Sequence, residues 1–201
     1  MTPRPRSFDE GVVLDRAMDL FWALGFEATS MQNLVDHMGI GRQSLYNTFG
    51  DKHRLYLAAL GRYQAQQHDG PMAVLAAPGA DLAAVRAFLL GAAECLGAQE
   101  PRKACFLMNA VQELSPRDTD VVALGIGHRR TLVQHLEAAL TRSADRLRPG
   151  LTPAAAAKLL AHTTMGLGLT WKCGVQPEEL VELVETALHA VVEPRASALA
   201  G

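Results

Sequence analysis

The chain has 201 residues and a hydrophobic fraction of 49%, enough for a substantial packed core and too much for a disordered chain. Its formal charge of −2 excludes a protein that holds polyanions through bulk basicity, so any nucleic-acid contact must come from a local patch. Aromatic residues make up 5% while Ala and Leu abound, a balance that points to helix packing over sheets.

No apolar run approaches the roughly 18 residues that a membrane span needs, and Met1 to Ser7 carries arginines and prolines with no apolar stretch behind them, so neither a span nor a secretory leader is expected. Cys95, Cys105 and Cys173 are odd in number and lack metal-ligand spacing, which fits reduced thiols in the cytoplasm. No motif calls for a cofactor or a structural metal.

In chain order, residues 1–7 read as a flexible arm whose Arg4 and Arg6 could reach a minor groove or a phosphate. A first helix is predicted from Asp9 to Leu24, with Val13, Ala17, Leu20, Phe21 and Leu24 as its buried stripe and Gly25 as its stop. Met31, Leu34, Val35 and Met38 then fall at helical spacing behind Ser30, a suitable N-cap, and Gly39 lets the chain reverse. The next helix, Arg42 to Phe49, turns Ile40, Leu45 and Phe49 inward and leaves Arg42, Gln43, Ser44, Tyr46, Asn47 and Thr48 outside. A buried helix has no use for such a row of hydrogen-bonding groups, whereas a helix lying in a DNA major groove needs it. Asp51 caps a third helix of this group, and Lys52, His53 and Arg54 lie in its first turn, where cations oppose the helix dipole and suit a phosphate better than stability.

That helix should continue as a rod to about Gln67, before the break His68-Asp69-Gly70-Pro71. Further helices are predicted from Asp81 to Gly97, from Lys103 to Leu114, from Pro116 to about Arg146 with a weak point at Gly125 and Gly127, from Thr152-Pro153 to Lys172, and from Pro177 to Val192. The expected fold class is all-α with about nine helices. Within the penultimate helix Gly166 and Gly168 each cost about 1 kcal/mol relative to Ala, a cost that close approach by another helix explains. Together with the apolar Leu180, Leu183, Val184 and Leu188 of the last helix they form the expected homodimer interface.

The stretch G-I-G-R-Q-S-L-Y-N-T-F-G-D-K resembles the recognition helix of the tetracycline-repressor (TetR) family, whose pattern is roughly G-V-S-x-x-x-L-Y-x-x-F-x-S-K. Gly39, Ile40, Leu45, Tyr46, Phe49 and Lys52 fit it, while Gly41 and Asp51 stand where the family has serines. The resemblance covers about residues 8 to 56. It implies a helix-turn-helix DNA-binding domain over 1–56, arm included, and a helical effector-binding and dimerisation domain over 57–201. It implies a ligand-responsive transcriptional regulator, a repressor holding a palindromic double-stranded DNA operator as a homodimer and released by a small molecule or an electrophile. In that scheme Thr29 and Ser30 touch phosphate, Arg42, Gln43 and Ser44 read bases, and Tyr46, Asn47, Thr48, Lys52 and His53 position the backbone. The effector pocket it implies would draw on Phe88, Met108, Asn109, Gln112, His128, His162, Met165 and Trp171, apolar walls with a few hydrogen-bonding groups. Cys105, at the start of its predicted helix directly after Arg102 and Lys103, is similarly set to the sensing cysteine of electrophile-responsive members.

Two other classes compete. An all-helical enzyme could bind metal through His128, His162 and Glu113, yet no G-x-S-x-G, H-E-x-x-H or phosphate loop is present, and the protein is not expected to be an enzyme. An interaction adaptor would use the N-terminal helices for protein contacts instead of DNA.

Overall fold

The structure, a computed structural model, describes residues 8–193; Arg4 and Arg6 of the N-terminal arm lie outside them. Ten α-helices and one 3-10 turn account for the regular structure, with no β-strand among the described residues. Helix α1 (Glu10–Leu24) starts at Asp9, whose carboxylate accepts from the N–H groups of Gly11 and Val12. Helix α2 (Met31–Met38) opens on a reciprocal cap in which Ser30 and Asn33 each accept the other's backbone N–H, and it ends at Gly39 in the left-handed conformation with φ 70°. Helix α3 (Arg42–Phe49) follows after the three residues Gly39, Ile40 and Gly41. Helix α4 (Lys52–Asp69) starts behind Asp51, which accepts from Arg54 N–H at 2.8 Å.

The later helices are α5 (Ala73–Ala76), α6 (Leu82–Gly97), α7 (Phe106–Leu114), α8 (Thr119–Thr141), α9 (Pro153–Lys172) and α10 (Pro177–Val191), with the 3-10 turn at Ala144–Arg146. Helix α5 is absent from the sequence expectation, α8 ends at Thr141 and gives way to the 3-10 turn instead of running to the predicted Arg146, and two helix starts also differ. Helix α7 begins at Phe106, three residues later than predicted from Lys103, so Cys105 precedes its first turn. Helix α8 starts at Thr119, because Asp118 supplies the cap by accepting from Asp120 and Val121 N–H; Ser115 and Pro116 belong to the preceding turn. Gly125 and Gly127 do not interrupt α8. Gly125 is required by packing, since a Cβ there would stand 2.5 Å from Val111 Cγ2.

Two compact units emerge. One takes the chain up to Gln66 together with Phe106–Ile126; the other takes Gln67–Cys105 and the chain from Gly127 onward. The first is filled by aromatic rings: Tyr56 packs edge-on against Phe21 at 4.8 Å and against Phe106 at 5.6 Å, and Phe26, Tyr63 and Trp22 complete the cluster. The second has an aliphatic core in which Leu89, Leu136, Leu160, Leu180 and Val184 are fully buried along with a row of alanines. Those alanines let helices approach closely.

Candidate nucleic-acid interface

Helix α3 is a short segment pinned by one buried side chain. Leu45 is fully buried and Ile40 and Phe49 are half-buried, whereas Arg42, Gln43, Tyr46 and Asn47 are exposed and Ser44 and Thr48 lie half-way. The exposed groups are already aligned: Gln43 Nε2 donates to Asn47 Oδ1 at 2.9 Å, and Arg42 reaches Gln32 of α2 at 3.4 Å. Held in this way, the Gln43 amide is preorganised to meet a base edge with little further loss of side-chain freedom. Tyr46 is 42% exposed, unusual for a large ring without an outside partner.

The flanking residues brace this helix. Arg16 of α1 donates to Met38 O at 3.0 Å and so closes the C-terminal end of α2. Thr29 is fully buried and its hydroxyl donates to Gly25 O, so its side chain holds the α1–α2 turn and faces no solvent, while Ser30 is exposed at the N-terminus of α2. The Lys52 ammonium sits 4.4 Å from the centre of the Phe26 ring. His53 Nε2 lies 2.7 Å from Asp118 Oδ2, so this imidazole is tied to the cap of α8. Burial pushes the Asp118 carboxyl up, but the Val121 N–H and His53 outweigh it and hold the group below the ordinary carboxylate value.

Glu113 is the contact that sequence reasoning missed in this region. Its two carboxylate oxygens accept from the backbone N–H groups of Phe26 and Glu27 at 2.9 and 2.8 Å, joining α7 to the turn that precedes α2. Gly25, at φ 83°, is the residue that makes room, because a Cβ there would stand 2.9 Å from the same carboxylate. The Arg62 guanidinium forks onto Asp15 and, with Gln66, holds that carboxyl below its usual range, which ties α4 to α1. Together these pairs make the α7–α8 corner part of the same body as the reading helix.

The other predicted residues divide between the two units. Met108, Asn109 and Gln112 lie on α7 in the first; Phe88, Cys105, His128, His162, Met165 and Trp171 lie in the second. Trp171 is buried beneath the Arg102 guanidinium, which lies 3.8 Å from its ring, while His162 is exposed with Nδ1 2.7 Å from Lys158 O. On the expected dimer surface, Gly166 is open with nothing near a Cβ, and Leu183 is 38% exposed. Gly168 instead lets Ala104 approach, and Leu180, Val184 and Leu188 are buried in the core of their own chain, packed with the residues of α6 and α9. Leu159 and Leu169 on α9, at 46% and 55% exposure, carry the outward apolar surface that the sequence pattern did not single out.

Residues 13–59 match the family described as bacterial regulatory proteins, tetR family. The chain is 30% identical over 193 residues to the HTH-type transcriptional repressor ComR of Escherichia coli strain K12, covering 92% of this chain and 90% of that protein. It is 38% identical over 118 residues to the uncharacterized HTH-type transcriptional regulator YezE of Bacillus subtilis strain 168, a match spanning 59% of this chain and 61% of that one. Among solved structures, the TetR family transcriptional regulator CifR, in a cysteine-substituted form complexed with 26-base-pair operator DNA, aligns with a TM-score of 0.79 at 32% identity, covering 93% of this chain and 99% of that chain. The matched segment runs from within α1 through the polar helix to the middle of α4, and the likeness to a repressor continues over nearly the whole length, so the chain belongs to the TetR family of transcriptional regulators.

Proposed function

We infer that the protein is a repressor that grips a palindromic operator as a homodimer and lets go when a small molecule binds. The observation that carries this reading is the outward polar face of α3, with Gln43 and Asn47 joined amide to amide over a single buried leucine. Residues 1–56 act as the DNA-binding domain and 57–201 as the effector-binding and dimerisation domain. Arg42, Gln43 and Ser44 read base edges; Ser30, Tyr46, Asn47, Thr48 and Lys52 position phosphates; Thr29 and His53 brace the turn and the cap from behind.

The dimer forms through α9 and α10, with Gly166 and Leu183 joined by Leu159 and Leu169 at the contact, a four-helix arrangement that two-fold symmetry makes self-complementary. The effector acts by favouring a spacing of the two heads that misfits successive major grooves, to the extent that it binds one state better than the other. An electrophile reaching Cys105, half-buried one residue ahead of α7, is a second form of the same signal. The protein works in the cytoplasm and catalyses nothing; no helix among the described residues is long and apolar enough to cross a membrane.

The test is a gel shift on DNA upstream of the protein's own gene against a scrambled duplex of equal length. Binding confined to the specific duplex, falling steeply with salt, is expected. Equal retention of both duplexes refutes the reading.

A further inference from the structure

Three histidines of the second compact unit each keep one buried ring nitrogen without a protein hydrogen-bond partner. His128 and His135 stand seven residues apart on α8, two turns along one face and about 10 Å apart along the axis. His68, in the last turn of α4, is close enough for its charge to act on both. His128 is 7% exposed. One ring nitrogen of each, His68 Nε2, His128 Nδ1 and His135 Nδ1, is buried and meets no protein hydrogen-bond partner. Buried polar atoms are paired as a rule, so three orphans in one place ask for a partner from outside the chain.

Charge narrows what that partner is. Burial, then the neighbouring His68, pushes His128 and His135 down from the ordinary imidazole value, and among the described residues no carboxylate contributes to either shift. Arg129 and Arg130, on the same helix, are exposed. The cluster can therefore become positive but has no counter-ion among the described residues. A single metal ion is too small to join these rings: among the described residues, the ligand atoms that come within 4.8 Å of one another as a group are those of His53, Asp118 and Asp120, and Asp118 there is already spent on capping α8 and on His53. Nitrogens spread more widely suit a molecule with several atoms.

We propose that His68, His128 and His135 bind the anionic group of a small organic acid, a carboxylate in its simplest form, and that this acid is the effector; the assignment rests on the regulator reading given above. The carboxylate oxygens accept from ring N–H groups. The negative charge supplies the missing counter-ion, so binding draws a proton from solvent onto the imidazoles, and the acid binds more tightly as pH falls from 8 to 6.

Calorimetry on the full-length protein with benzoate and hexanoate, and with benzamide and benzamidine as the neutral and cationic isosteres of benzoate, tests this at pH 6 and pH 8. Running each titration in two buffers of different ionisation enthalpy counts the protons. At least one acid is expected to bind about tenfold more tightly at pH 6 with net proton uptake, while both isosteres bind far more weakly. His128→Gln and His135→Gln should each weaken the acid about tenfold; His135 is less buried and provides the readout should His128→Gln fail to fold. Failure of both acids to bind, equal binding of the isosteres, a pH-independent affinity, unaltered affinity in a folded variant, or tighter capture of Zn²⁺ through the same histidines overturns the proposal. Operator binding without acid is measured alongside: its absence refutes the regulator reading, whereas intact operator binding with any of those failures refutes only this site.

Discussion

Gln43 and Lys52 stand for the two jobs that side chains have at this surface. The Gln43 amide projects from the first turn of α3 and is held by Asn47, a geometry for reading one base pair, whereas Lys52 offers a point charge resting on the Phe26 ring. Gln43→Ala should therefore relax specificity at one base pair at a cost of about 1–3 kcal/mol. Lys52→Ala should weaken all sequences alike and lower the salt slope by about one. Binding selections and salt titrations separate these outcomes, and equal effects of the two variants would refute the division of labour. Glu113 acts from behind the surface. Glu113→Gln replaces a doubly accepting carboxylate with an amide that turns one donor against a backbone N–H, so stability should fall by about 1–3 kcal/mol in chemical denaturation. Asp15 and Asp118 are held below the ordinary carboxylate range in the folded protein, so their stabilising contribution is fully present above the unfolded value and is lost as pH falls through the depressed folded values. Acid denaturation of Asp118→Asn should accordingly show a shallower dependence on pH below about 4.

At the level of helices, caps explain how much of the fold the sequence disclosed. Asp9, Ser30, Gly39, Gly25 and Thr152 are local signals, each satisfying or ending a helix terminus by chemistry visible within three residues, and they mark α1, α2 and α9 where the pattern predicts them. The start of α8 was hidden because Ser115-Pro116 offers an equally good local signal and only the real cap, Asp118, has the His53 ring to fix it. Burial was harder still. Leu180, Val184 and Leu188 carry the right spacing for any apolar contact, and periodicity does not distinguish a neighbour in the same chain from one in another. Gly125 tests the packing argument: Gly125→Ala puts a methyl against Val111 and should destabilise by about 1–3 kcal/mol, with the double variant Val111→Ala, Gly125→Ala recovering part of the loss in a denaturation cycle.

For the whole molecule, the grouping of residues 106–126 with the N-terminal helices is what no local pattern carries. It depends on Glu113 meeting backbone groups 86 and 87 positions earlier and on Phe106 entering the aromatic cluster, both consequences of the folded chain. The outward polar face of α3, by contrast, was legible because eight residues with one inward leucine state their orientation directly. Its use requires two copies. Leu169→Glu with Leu183→Glu places charge on the exposed apolar face of α9 and α10 without touching the core, and should turn a dimer into a folded monomer by sedimentation while reducing operator affinity by about a hundredfold or more. The most direct measurement is base-resolved footprinting of the operator by the wild-type protein and by Gln43→Ala. Two protected half-sites related by a two-fold axis, with discrimination lost at one symmetric pair of positions in the variant, are predicted; protection lacking that symmetry, or a variant whose footprint and base preferences match the wild type, would contradict the account.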